Sequence, residues 1–143
     1  MRFLNQYESF AATILRVAAG AILLAHGVPK LLNIAGFADF MATLPWSPRP
    51  LHWIVAISVI SIEVLGGLAL VTGIRARTAG FLAGIMYLLI ALLMHSGQFF
   101  LMFNLNSTDQ QSYFEFPFLL GVACLAVSFL GPGRVRIRVR DWD

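Results

Sequence analysis

Four stretches of the chain are almost unbroken apolar runs: Phe10–Leu32, His52–Thr72, Thr78–Ser96 and Phe114–Leu130. About 20 mainly apolar residues cross a bilayer as a helix. Four such runs at similar spacing therefore predict four transmembrane helices. The second and third are joined by "GIRART", a turn short enough to make them antiparallel neighbours. The first and second are separated by a longer connection. Within "GFADFMATLPW", Phe37, Phe40, Met41 and Leu44 recur at i, i+3, i+4 and i+7. That spacing predicts a short amphipathic helix lying in the membrane interface, with Trp46 and Trp53 as anchors at the same level. Pro45, Pro48 and Pro50 end this helix and extend the chain before the second span. The first run is long, contains Arg16 and is not followed by a convincing small-residue cleavage site, so it reads as a retained helix. The expected fold class is all-α: an antiparallel four-helix bundle, one integral membrane domain over residues 1–143, ending in a basic tail at 131–143.

Composition supports the membrane reading. Hydrophobic residues make up 59% of the 143 positions and charged residues only 12%, about half the share of an ordinary soluble domain. A small core cannot absorb that excess of apolar surface. Cys124 is the single cysteine, which excludes an intramolecular disulfide and a self-contained thiol–disulfide enzyme. The net charge of +3 implies no nucleic-acid partner. The placement of the cations is more informative. Arg2, Arg75, Arg77, Arg134, Arg136, Arg138 and Arg140 fall on one side of the expected spans, and only Lys30 and Arg49 on the other. The positive-inside rule then puts both termini in the cytoplasm of a multi-pass protein of the cytoplasmic membrane. In the tail "RVRIRVRDWD", arginines alternate with Val135, Ile137 and Val139. An extended chain would turn the arginines to one face, where anionic membrane lipids offer about 1 kcal/mol per nearby basic residue.

Charges inside the spans are costly and demand an account. At about 100° per residue, Arg16, Gly20, Leu23, Gly27 and Lys30 share one face of the first helix, with His26 to one side and Ala18, Ala21, Ala25 and Val28 opposite. Glu63 shares a face of the second with Ala56, Gly67 and Leu70. A structural ion pair between Arg16 and Glu63 is expected from their similar depth. At the outer end, four helices each offer a titratable group: His26 and Lys30, His52, His95, and Glu115. His26, Lys30, His95 and Glu115 form the candidate binding or proton site. His52, beside Trp53, reads as an interfacial anchor. Pro29 frees the Ala25 carbonyl, either opening a cavity or helping to end the span. Cys124 lies on the side of its helix opposite Glu115, toward lipid or another packing surface. No metal site is expected, and His26 and His95 lack the motifs that would support haem.

The ordered set "RVAAG" and "HGVPK" in the first span, "EVLGG" in the second, His95 after the third, "FEFPFLL" opening the fourth and "GPG" at Gly131–Gly133 resembles the DoxX family of small four-helix membrane proteins. The resemblance implies a quinone-interacting subunit or accessory of an inner-membrane oxidoreductase complex, and it leaves open whether the chain itself catalyses. No flavin or dinucleotide fingerprint and no cluster cysteines are present, so no intrinsic cofactor is expected beyond the implied quinone. Electrons would come from a partner redox subunit. A quinone head group needs hydrogen-bond donors, which His26, Lys30 and His95 offer, while Glu115 could relay a proton. Two alternatives stand beside this one: a small solute or proton-coupled carrier, and a non-catalytic scaffold holding soluble redox enzymes through the arginine-rich tail. Glycine-bearing faces could pack within one chain or between copies in a homo-oligomer.

Overall fold

The computed structural model describes residues 8–47, 49–103 and 113–137. Among these the fold is all-helical, without strands. Helix α1 spans Glu8–Leu32, α2 Ile34–Ala42, α3 His52–Thr72, α4 Ala76–His95 and α5 Glu115–Leu130, and a 3-10 segment, Ser96–Phe103, continues α4. Three helices, α1, α3 and α4, are long and apolar enough to cross a membrane. The 16-residue α5 is equally apolar but shorter, about 24 Å at the usual helical rise. Helices α3 and α5 finish at the tail end of the bundle, from which residues 131–137 continue. The opposite end carries α2.

The helices pack as two close pairs, α1 on α3 and α4 on α5. In lipid, small residues bring helix backbones together, because large apolar side chains gain little by leaving hydrocarbon. That sorting is plain here. A Cβ on Gly20 would lie 2.8 Å from the Gly67 carbonyl oxygen, and one on Gly80 would lie 2.7 Å from that of Cys124. The faces expected for α1 and α3 are the ones buried: Arg16, Gly20, Leu23 and Gly27 point inward and Ala18, Ala21, Ala25 and Val28 outward. Large side chains such as Ile54, Leu65, Phe81 and Phe129 form the exposed outer surface. Helix α5 obeys the same rule. Pro117, Leu120, Gly121, Cys124 and Val127 are buried, so Cys124 is a core residue. The arc shared by Glu115, Leu119 and Val122 is exposed. The side carrying Gly121 faces α4 because only there can the backbones approach.

The tail end explains Arg16. The last carbonyls of a helix have no partner within it, and hydrocarbon supplies none. Helix α3 stops at Gly73, whose φ of 83° is left-handed, and the Gly73 N–H donates to the Ala69 carbonyl at 2.9 Å. Arg16, 1% exposed, donates through Nη1 to the carbonyls of Leu70 and of Val71, the latter at 2.8 Å. The Thr72 carbonyl accepts from the Ile137 N–H at 3.0 Å. Nη2 of Arg16 reaches the Val135 carbonyl at 2.6 Å. A Cβ on Gly73 would crowd Nη1 at 3.0 Å, so glycine is required there twice over. Arg77 repeats the device on α5, donating to the Ser128 and Phe129 carbonyls at 3.0 Å each.

The expected Arg16–Glu63 pair is therefore not formed. The α1–α3 register places Gly27, not Arg16, against Glu63. Eleven residues of helix separate Arg16 from that level, about 16 Å of rise. The start of the tail is also more than a lipid anchor, since residues 135 and 137 are bonded into the bundle. Arg2, Arg138, Val139 and Arg140 lie outside the described residues.

Arg16→Met and removal of residues 134–143 are each expected to lower stability by about 1–3 kcal/mol. The double change should cost less than the sum, because both break one network. Thermal unfolding in detergent, followed by circular dichroism, measures the three values. Strict additivity would mean that Arg16 does not hold the tail.

Candidate functional site

At the end opposite the tail, side chains of α1, α2, α3, α4 and α5 line a cavity of about 710 Å³. Helix α2 covers it. Asn33 caps α2 by accepting from the Gly36 N–H at 3.1 Å, and Ala38 and Met41 seat it on Ala56 of α3. Phe37, Phe40 and Met41 thereby line the cavity. The short amphipathic helix expected from the sequence exists, with part of its apolar side turned to the cavity as a lid.

Glu63 forms the floor. Its side chain is fully buried, and an isolated carboxylate there would be prohibitively costly. Lys30 Nζ donates to Oε1 at 2.6 Å and to Oε2 at 2.7 Å. Tyr87 Oη donates to Oε1 at 2.9 Å. Three helices thus meet on one carboxylate: Lys30 from α1, Glu63 from α3 and Tyr87 from α4. Lys30 also sits 5.0 Å from the centre of the Phe37 ring, a cation–π contact that ties the lid to the pair. The lysine is a quarter exposed, so its ammonium has one side on the carboxylate and another on the cavity.

The four site residues named from the sequence, His26, Lys30, His95 and Glu115, all line this one cavity. His26 and Glu115 are exposed, Lys30 and His95 half-buried. The His26 ring packs 5.2 Å from that of Phe116, and the His95 ring 6.3 Å from that of Tyr113. His52 does not join them. It is buried in the first turn of α3, its ring 6.0 Å from Trp53, with Nδ1 unpartnered among the described residues. Pro29 is exposed, does not line the cavity, and leaves α1 continuous to Leu32. Sequence reasoning passed over Tyr87, which stands about 80° around α4 from His95. It also missed the lining side chains Trp46, Met94 and Tyr113.

The cavity combines ring N–H and ammonium donors, a solvent-facing carboxylate and a mainly aromatic and aliphatic wall. That set suits a flat, apolar molecule with carbonyl oxygens, which accept hydrogen bonds and offer none. Among the described residues no group of three or more His, Cys, Asp or Glu side chains is placed to hold a metal ion.

Comparison with protein-family models matches residues 11–96 to the family described as DoxX. The matched stretch takes in Arg16, Lys30, Glu63, Tyr87 and His95 and stops before Glu115. Comparison with curated proteins and with solved structures gave no match.

Breaking the buried pair from either side should be severe. Lys30→Met or Glu63→Gln alone is expected to cost about 3 kcal/mol or more, and Tyr87→Phe about 1.5 kcal/mol. Combining Lys30→Met with Glu63→Gln should recover part of the loss, because no lone charge is then left inside. Unfolding midpoints in one detergent test this. Single losses that simply add would mean that the two side chains do not share a buried interaction.

Proposed function

The chain belongs to the DoxX family, and on that premise we propose that it is a four-helix protein of the cytoplasmic membrane whose cavity receives the head group of a quinone, as a subunit or accessory of a membrane oxidoreductase complex. In this reading α5 is the fourth span, and both termini are cytoplasmic. Seven basic residues at the tail side of the spans against two on the other support that orientation. The cavity then opens toward the outer face.

The observation that carries the reading is the convergence of His26, Lys30 and His95 on one largely apolar cavity with Glu115 at its rim. The quinone carbonyls would accept from the imidazole N–H groups and from Lys30. Conversion of quinone to quinol consumes protons as well as electrons. Glu115, exposed on the first turn of α5, is the group suited to pass protons between solvent and a bound head group. Lys30 and Tyr87, held by Glu63, would fix the floor against which the ring lies. The electrons come from a partner subunit, since the chain carries no flavin or dinucleotide fingerprint and no cluster cysteines.

Protein extracted from membranes in mild detergent should retain quinone, detectable in an organic extract by chromatography. His26→Ala and His95→Ala should each lose about nine-tenths of it, the effect of roughly 1.4 kcal/mol of hydrogen bonding. Quinone-free protein that also fails to bind added quinone in titration would overturn the proposal.

A further inference from the structure

A second hollow, about 290 Å³, runs along the outer surface between α1 and α5. Leu15, Ala18 and Ile22 form one wall, Leu119 and Ala123 the other, and Phe116 closes the upper end. Phe116 is also a wall of the head-group cavity. The two spaces therefore share one lining side chain, and the exposed His26 ring lies 5.2 Å from it. Contact between α1 and α5 is sparse compared with that within the close pairs α1–α3 and α4–α5. The hollow exists because alanines on both helices leave the space unfilled. Its wall is almost wholly apolar, whereas the cavity above it adds charged and ring-nitrogen groups to a mainly apolar wall. A mainly apolar cavity holding a few hydrogen-bonding groups, beside an apolar groove that shares Phe116 with it, matches a ligand with a hydrogen-bonding head and a hydrocarbon tail.

We infer that the α1–α5 groove holds the prenyl tail of the quinone whose head occupies the cavity, with Phe116 and His26 forming the sill between them. This rests on the cavity reading above. An imidazole at such a sill lies in a place where a polar group facing plain hydrocarbon would be costly; toward a ligand head it is instead a donor. The groove also lets the ligand leave sideways into the bilayer, so the head need never cross water.

Hydrocarbon in the groove competes with lipid tails of similar apolarity, so position is a sharper readout than affinity. The full-length protein in phosphatidylcholine nanodiscs is illuminated with a benzoquinone bearing a diazirine in its prenyl tail, and adducts are mapped by mass spectrometry. A phosphatidylcholine with a diazirine in its acyl chain serves as the comparison. The quinone probe is expected to label the stretches 15–22 and 119–123 about tenfold over the outward α4 residues Phe81, Leu89 and Leu92, a preference equivalent to one decade in occupancy. The lipid probe should label both surfaces alike. Excess tail-less benzoquinone should abolish the preference. Ala18→Trp and Ala123→Trp, both on the groove wall, should remove groove labelling while the tail-less compound still binds. Leu119→Ala, which adds no bulk, should keep it. A quinone-probe pattern identical to the lipid pattern, with tail-less quinone still bound, overturns the groove and leaves the cavity reading intact. Failure of the tail-less compound to bind overturns the cavity reading and the groove together.

Discussion

The Glu63 carboxylate lies in the interior of α3 with no exposed surface, and its charge is answered by Lys30 from α1 and by the Tyr87 hydroxyl from α4. Neither helix could shift by a turn without stranding that carboxylate. In hydrocarbon the penalty for a lone charge is several kcal/mol, comparable with the whole stability of an ordinary domain. The pair therefore acts as an axial pin. It fixes which turn of α1 faces which turn of α3, and from that register the positions of His26 at the cavity wall and of Arg16 at the far end follow.

The two ends of the bundle use charge differently. At the tail end, Arg16 and Arg77 spend their guanidinium groups on helix-terminal carbonyls, so the end is closed and the chain after α5 is bonded against it. At the other end the helices line a cavity, with the ion pair in its wall and Phe37, Phe40 and Met41 of α2 beside it. Closure at one end and a lined space at the other give the molecule a direction, independent of any membrane. The cations of α1 are thus of two kinds: one structural, its Nη1 and Nη2 given to backbone acceptors while Nε is unpartnered among the described residues, the other shared between a buried carboxylate and the cavity.

Helical periodicity made the faces of α1 and α3 legible, because alanines and glycines at fixed angles mark which side is buried. Angle says nothing about axial register. Arg16 and Lys30 share one face, so either could be imagined against Glu63, and the sequence pattern favoured the wrong one. On α5 the ionisable residue drew attention to the arc of Glu115, whereas Gly121 and Cys124, small enough for close approach to α4, were the better guide. The arginine caps were not legible, since the partners are backbone carbonyls, which carry no sequence signature. Tyr87 stands about 80° around α4 from His95 and carries no formal charge, so nothing in the pattern singled it out. The convergence of His26, Lys30, His95 and Glu115 on one space followed from topology, because alternating helices bring their odd and even ends to the same level.

Register is the claim on which the account stands, and disulfide cross-linking reads it directly. In a Cys124→Ser background, Leu24→Cys is paired either with Gly67→Cys or with Val55→Cys. A Cβ on Gly67 would lie 2.8 Å from Leu24 Cγ, whereas twelve residues of α3 put Val55 about 18 Å further along the axis. Mild oxidation in membranes should link positions 24 and 67 and leave 24 and 55 free. Linkage of 24 to 55 in place of 67 would set Arg16 against Glu63 and contradict the arrangement described.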